Sequence, residues 1–425
     1  MGLPLAAVYA DVTGNVIGAD IDPDVVETVN RGNCHVKREP GLPGLVEDLH
    51  GDGSLRAVVE PFEAAREAAI HVVIVPTPIT DDNEPDLSIL KAATESIAAG
   101  LSPGDSVVVE CTVPPGTTEG MVRETLVSES GLDEAEFGLS FCPERTSSGR
   151  ALKDIRGAYP KVVGGIDAES RRVARVLYEE INDEGVLPVS DATTAEAVKI
   201  FEGLYRDVNI ALANELARFT DEMGIDVREA IKTANTQPFC DIHDPGPGVG
   251  GHCIPFYPYF VIEPFETPAP LLRTAREVND SMPAFTVERL QERIGDDGSL
   301  DGVSVAVLGL TYRAGVEELR AAPALEIIRH LNSNGAETYG VDPLVDEDRL
   351  DVEISLCDVT DLYDRSLDAV VLVTGHEEFE DVEWGRLNDD VVCVDGRDFL
   401  ETSPDGKEVY TIGEASWSGG GNGSR

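Results

Sequence analysis

"TTAEAVKIFEGLYRDVNIALANELARFTDEMGI", residues 193–225, holds an apolar period near 3.6 over about 30 residues. Most globular helices are shorter than that. At about 1.5 Å of rise per residue the pattern predicts a helix of roughly 45 Å, longer than the surface of one domain accommodates. Its natural use is as a spine joining two domains, or as the core of a dimer interface.

Outward from this stretch the pattern changes on both sides. Upstream, "NVIGADI" (15–21), "HVVIVPTP" (71–78), "SVVVECTVPPG" (106–116) and "KVVGG" (161–165) read as buried parallel strands, with "FGLSF" (137–141) as a further β-like run. Downstream, "VSVAVLGL" (303–310), "AETYGVDP" (336–343), "DAVVLVTG" (368–375) and "VVCVDGR" (391–397) repeat the theme. Helix-period segments separate the strands, as in βαβ units, and roughly 190–285 carries no strand signal. The expected fold is therefore α/β: two Rossmann-like doubly wound parallel-sheet domains, 1–190 and 289–412, joined by a central helical domain, 191–288. The Gly/Ser-rich end, 413–425, reads as a disordered tail.

The chain has 425 residues, enough for two or three hydrophobic cores, and carries 80 acidic against 33 basic side chains for a formal charge of -47. Nucleic acid and anionic membrane would be repelled. Only seven of the bases are lysines, and acids dot nearly every polar helix face, a style that resembles the proteomes of salt-loving archaea. No apolar run reaches about 18 residues, and neither a basic n-region nor an apolar signal core follows Met1, so a cytoplasmic protein is expected. The seven cysteines are scattered without CxxC spacing, which speaks against a disulfide framework and against a zinc cluster; no metal is expected.

Several short segments carry chemistry. Asp20 closes "NVIGAD", where a carboxylate at a strand's end can accept the hydroxyls of an adenine ribose; a helix cap is the plainer reading. A G-x-G-x-x-G loop should precede it, and only its last glycine, Gly2, is present. Thr77 and Thr112 each end a strand before a proline-rich turn, and Glu144, Arg145 and Thr146 come after "FGLSF", which would gather them on one carboxyl edge. Lys199, Gly203 and Arg206 are spaced i, i+4, i+7 on the long helix, and Lys199 lies within its apolar pattern as a candidate acid, base or oxyanion partner. In "GPGVGGHCIPFYPYF" (246–260), Gly250 and Gly251 permit close backbone approach and Pro255 stiffens the chain just after Cys253. Most cysteines are inert core residues; this one is held as a nucleophile would be, with His252, a helix N-terminus or Lys199 as the cation a thiolate needs.

Taken together, "GLPLA", "DIDP", "VPTP", "CTVPPGTT", "CPER", "AEAVKIFEGLYRDVNIALANELA", "GPGVGGHCIP", "VAVLGLTYR", "ELRAAPAL" and "DGR" resemble the nucleotide-sugar 6-dehydrogenase family over nearly the whole chain. "CPER", "YRDVNIALANELA" and "GGHCIP" resemble the branch that acts on UDP-N-acetyl-D-mannosamine more than the UDP-glucose branch. The resemblance implies two NAD-dependent oxidations of a sugar C6, through a thiohemiacetal and a thioester on Cys253, for surface polysaccharide or glycan synthesis. By the same likeness Lys199 stabilises charge on the C6 oxygen or shuttles its proton, and Glu144, beside Thr112, serves the water and proton path. Arg145, Thr146, Arg206, Gly250 and Arg313 would hold the sugar nucleotide, with Gln237 and Phe239 near it. Gly2, Asp20, Thr77, Thr112 and Arg320 would meet NAD, and a homodimer is implied.

The chain departs from the family pattern in three places. A first strand and the first two loop glycines do not precede Gly2; Gly203 stands where the family usually has asparagine; Tyr257 stands where an aspartate is common. The last two read as a coupled change, with the Tyr257 hydroxyl replacing the carboxylate. UDP-glucose and UDP-N-acetylglucosamine remain alternative substrates. A catalytically idle nucleotide-sugar-binding protein is a reading of another class, and a dehydrogenase of the 3-hydroxyacid or 6-phosphogluconate type is a third, one that would need no cysteine.

Overall fold

The computed structural model describes residues 1–294, 298–400, 404–415 and 417–418. Among the described residues thirteen strands fall in three sheets. In chain order they are β1 Val16–Ala19, β2 Leu55–Val58, β3 Ile70–Val73, β4 Ser106–Val109, β5 Gly138–Phe141, β6 Lys161–Gly165, β7 Val186–Pro188, β8 Ser304–Leu308, β9 Glu337–Val341, β10 Ser355–Leu356, β11 Ala369–Leu372, β12 Val392–Asp395 and β13 Glu408–Thr411. The last six form one all-parallel sheet in the order β10-β9-β8-β11-β12-β13. Counted from β8 that is 3-2-1-4-5-6, the doubly wound arrangement whose crevice opens where the order reverses.

The amino-terminal strands make two sheets, the parallel pair β1-β2 and the run β3-β4-β5-β6-β7, in which only β5 and β6 are antiparallel. The helix Gly2–Thr13 buries Leu5, Ala7, Val8 and Ala10.

The long apolar period forms one helix, Ala192–Met223, and among the described residues no strand occurs between β7 and β8. The chain's contacts divide it into two compact units. The first is Met1–Glu202 with Tyr259–Thr267, and the second is Gly203–Pro258 with Pro268–Arg425. The division falls inside the spine helix, so Ala213 and Ala217 of its second half join Val305, Val307, Val371 and Val394 in one core, while Ala192 and Ala195 of its first half join Val107, Val109, Leu139 and Phe141 in another. Some of the abundant acids start helices: Asp22, Asp167 and Asp226 each accept a backbone N–H of the following first turn, at 2.9, 2.7 and 2.7 Å.

Residues 413–415 and 417–418, expected to belong to a disordered tail, are among the described residues and make defined contacts. Gly413 accepts the Val227 N–H at 2.9 Å, and Ser418 pairs with Val409 in an antiparallel bridge, bringing the Trp417 ring to 5.6 Å from that of Tyr410. An indole with an aromatic partner gives this segment a reason to be ordered; residues 416 and 419–425 lie outside the described residues. Among the described residues no helix is long and apolar enough to cross a membrane.

Candidate active site

In the second unit, the glycine-rich collar lies against the loops at the carboxyl ends of β8 and β12. A Cβ on Gly250 would stand 2.7 Å from both the Ala321 carbonyl oxygen and Tyr312 Cβ, and one on Gly251 would meet the Tyr312 ring at 2.9 Å. Gly251 also has a φ of +91°, and its N–H donates to the Arg320 carbonyl at 2.9 Å. The close approach inferred from the motif is therefore an approach to the loop 309–322. Pro247 packs on Gly396 of the "DGR" turn in the same way.

A chain of buried hydrogen bonds ties the start of the collar to the helices. Asn214 of the spine accepts the Gly246 N–H at 2.9 Å and donates to Asn279 Oδ1 at 2.9 Å. Asn279 in turn donates to Asp207 Oδ1 at 2.9 Å and to its backbone carbonyl at 3.0 Å, and Arg276 Nη1 meets the same carboxylate oxygen at 2.6 Å. Both members of that ion pair are buried. Burial pushes the Asp207 carboxyl upward, against the opposing pull of Arg276.

At the end of the collar Cys253 is half-buried, and its carbonyl accepts the N–H groups of Phe256 and Tyr257, each at 3.0 Å. The side-chain hydrogen bond that His252 shares with Cys253 raises the imidazole's pKa, aided by the charges of Cys253 and Glu318 and opposed by burial. An imidazole biased toward its charged form beside a sulfur is what a thiolate requires. By contrast burial pushes the thiols of Cys111 and Cys393 up to about 12, leaving them inert, and no cysteine is in a disulfide.

Around this centre the second unit places Gly203, buried and facing the Tyr257 ring, and Arg206, whose charge adds to the burial that lowers the pKa of His243 and opposes the burial that raises that of Tyr312. Arg313 lies 5.9 Å from the Tyr312 ring. The backbone carbonyl of Arg320 supports the collar. Gln237 and Phe239 are exposed, and Gln237 Oε1 accepts the Phe239 N–H at 2.8 Å in a local turn.

The first unit brings together the residues expected on its carboxyl edge. Thr77, Thr112 and Glu144 lie beyond the ends of the adjacent strands β3, β4 and β5, and Thr77 Oγ1 donates to the Thr112 carbonyl at 2.6 Å. Both the backbone N–H and the hydroxyl of Thr146 donate to Glu144 Oε1. The Arg145 guanidinium pairs with Glu202 at 2.9 Å, donates to the Pro160 carbonyl and lies 4.9 Å from the Tyr159 ring. Tyr159 and Glu202 are far away in sequence, which is why a motif read alone could not assign this use. Asp20 is exposed after β1, and Gly2 opens a helix whose first turn has no side-chain cap, so these residues suit a ribose and a pyrophosphate. Lys199 is half-buried on the spine helix.

Two acids escaped the sequence reading. Glu196 is fully buried and accepts the N–H groups of Gly116 and Thr118 at 2.6 and 2.7 Å, holding the Pro-Pro-Gly turn just after Thr112. Burial pushes its carboxyl up to about 7 despite those bonds. Glu110, the last residue before Cys111, pairs with Lys161 at 3.0 Å and accepts from the Tyr178 hydroxyl; these groups and Glu144, Arg145, Thr146 and Tyr159 line one cavity. An acid inside "VVVEC" was the available signal, since a strand buried on both faces tolerates a carboxylate only with a partner.

Three family models match the chain: the NAD binding domain of the UDP-glucose/GDP-mannose dehydrogenase family over residues 1–182, its central domain over 193–281 and its UDP binding domain over 306–402. UDP-N-acetyl-D-mannosamine dehydrogenase of Pyrococcus horikoshii is 34% identical over 421 residues, 97% of each chain. The solved structure of the UDP-D-ManNAc dehydrogenase from Pyrococcus horikoshii superposes with a TM-score of 0.89 at 32% identity, covering 97% of each chain. A UDP-glucose dehydrogenase from Pyrobaculum islandicum superposes almost as well, with a TM-score of 0.88 at 27% identity over 98% of this chain and 95% of that one.

Proposed function

The chain belongs to the UDP-glucose/GDP-mannose dehydrogenase family and is an NAD-dependent nucleotide-sugar dehydrogenase, and from that premise we propose that it oxidises C6 of UDP-N-acetyl-D-mannosamine to the uronate with Cys253 as nucleophile. The observation that carries the reading is the collar, which holds one half-buried thiol beside a positively biased histidine while burial silences Cys111 and Cys393. Bound NAD would take up the hydride of each oxidation, two per sugar.

The remaining chemistry falls to side chains. Lys199 would steady the C6 oxygen as its proton leaves. The Cys253 thiolate would then add to the C6 aldehyde, forming a C–S bond and a hemithioacetal oxygen that picks up a proton. After the second oxidation the product is a thioester; water, guided by Glu144 and Thr112, would cleave its C–S bond and return the thiol. Asp20, Gly2, Thr77 and Thr112 would hold NAD, and Arg206, Gly250 and Arg313 the UDP-sugar. Thr146 would act by orienting Glu144, whose oxygen it already binds.

The fold does not discriminate the sugar, as the near-equal superposition on a UDP-glucose enzyme makes clear. Offering UDP-N-acetyl-D-mannosamine, UDP-N-acetylglucosamine and UDP-glucose in turn and monitoring NADH by its absorbance is the test. We expect two NADH per UDP-N-acetyl-D-mannosamine and none from Cys253→Ala beyond the first oxidation; full uronate formation by that variant would refute the mechanism. Failure of all three sugars would favour an idle binding protein.

A homodimer is part of the same proposal. Tyr205, Leu212 and Phe219, seven residues apart on the spine helix, and Met223 one turn further, are each about half exposed. A stripe of that kind on one helix face suits a second copy of the chain.

A further inference from the structure

We propose that the Tyr257 ring is the positioning element for Cys253 and that Gly203 serves to seat it, so that these two residues act as one unit. Tyr257 is buried, and its N–H closes the turn on the Cys253 carbonyl at 3.0 Å, so ring and nucleophile belong to the same turn of chain. A Cβ added to Gly203 would lie 2.1 Å from Tyr257 Cδ2, 3.0 Å from Cε2 and 3.1 Å from Cγ.

Nothing in the backbone calls for glycine at this position. Gly203 lies inside the 32-residue helix Ala192–Met223 and is not among the glycines of positive φ. Glycine inside a helix weakens it relative to alanine, so its presence has to be offset by something else. Room for an aromatic ring is what the structure provides in return. The ring lies flush against the helix backbone, and the turn that carries Cys253 is anchored at its far end by this contact. At its near end the same turn is held by the Gly251 N–H on the Arg320 carbonyl.

The thiol is thus fixed from two sides, by the loop 309–322 before it and by the spine helix after it. Tyr257 acts through Cys253 and is a positioning residue; the inference rests on Cys253 being the nucleophile. It assigns the effect to the ring, and the hydroxyl is secondary.

A double-mutant cycle on the full-length protein tests it, with Gly203→Ala, Tyr257→Ala and the pair together, plus Tyr257→Phe. Two readouts are needed: kcat and KM with the UDP-sugar, and the pH profile of Cys253 alkylation by iodoacetamide, read on the Cys253 peptide by mass spectrometry. Far-UV circular dichroism and the thermal midpoint establish that each variant is folded, and Tyr257→Leu replaces Tyr257→Ala if the latter is not.

Gly203→Ala should lower kcat about a hundredfold with KM little changed, the scale of a 1 Å displacement, and should shift the alkylation profile. In the Tyr257→Ala background the same added methyl should have almost no effect, and Tyr257→Phe should behave as the parent. Additive effects, an unchanged alkylation profile in folded Tyr257→Ala, or a Tyr257→Phe as impaired as Tyr257→Ala would each overturn the inference. Cys253→Ala separates the two levels: if it retains both oxidations, the nucleophile reading fails, whereas the alkylation profile reports the thiol's placement independently of turnover.

Discussion

Replacing Asn214 by alanine is the sharpest stability test of how the collar is held. Its side chain bridges the Gly246 N–H and Asn279 Oδ1, each at 2.9 Å, inside a buried network that ends on the Asp207–Arg276 pair. Alanine removes both bonds and leaves a buried donor and a buried acceptor without partners. Each such group costs about 1–3 kcal/mol, so the loss should be about 2–6 kcal/mol, toward the lower figure if water enters the space. Total stabilities are commonly about 5–15 kcal/mol, so the effect is large on that scale. Both tryptophans, Trp384 and Trp417, lie in the second unit, so urea unfolding monitored by their fluorescence reports on the right part of the chain. Asn214→Leu separates the causes, because it fills the volume and still strands both polar groups. A loss below about 0.5 kcal/mol in Asn214→Ala, or a normal Asn214→Leu, would refute the reasoning, the first denying the network any weight and the second assigning the loss to packing.

Lys161→Met should cost about 3–5 kcal/mol by leaving Glu110 buried without its cation, and adding Glu110→Gln should restore much of it; calorimetry of the two variants decides. For Glu196 the folded-state pKa, about 7, lies above its ordinary 4.5, so the associated stability is complete below about pH 4.5 and is lost as pH rises through about 7. Glu196→Gln lacks this titration; its unfolding free energy should therefore gain on the parent's between pH 5 and pH 8, by an upper bound of roughly 3 kcal/mol in urea unfolding, and a falling difference would contradict the assignment. Leu212→Arg, placing a charge in the exposed stripe, should yield a monomer by light scattering if the stripe is a dimer face. With a charge of -47, activity and thermal midpoint should both rise with KCl, and full stability in dilute buffer would show that self-repulsion is not limiting.

The Val-rich strands and the spine helix were legible because each is a long, uniform pattern. The strands that were not seen are β2, "LRAV"; β7, "VLP"; β10, "SL"; and β13, "EVYT". Each stands at a sheet edge, where two to four residues suffice and a charged side chain can face water, so neither length nor hydrophobicity marks them. At the site the collar was readable from its glycines, yet the groups it leans on, Tyr312, Ala321 and Gly396, are 60 or more residues away along the chain and give no local sign. Glu196 looked like one more solvated helix acid, and only the fold reveals the two amides it accepts. For Arg145, "CPER" gave no sign of the contacts it makes with Glu202 and Tyr159.

The chain passes from one compact unit to the other after Glu202, again after Pro258 and again after Thr267. Neither unit is therefore a continuous piece of polypeptide, and the nine residues Tyr259–Thr267 are made only after the whole segment that carries Cys253. During synthesis the contact set of the amino-terminal unit is completed only when they emerge, after the ribosome has made the spine helix. Cutting the gene between units would sever both, and a stop codon anywhere before codon 259 should release an amino-terminal fragment that lacks part of its own contact set.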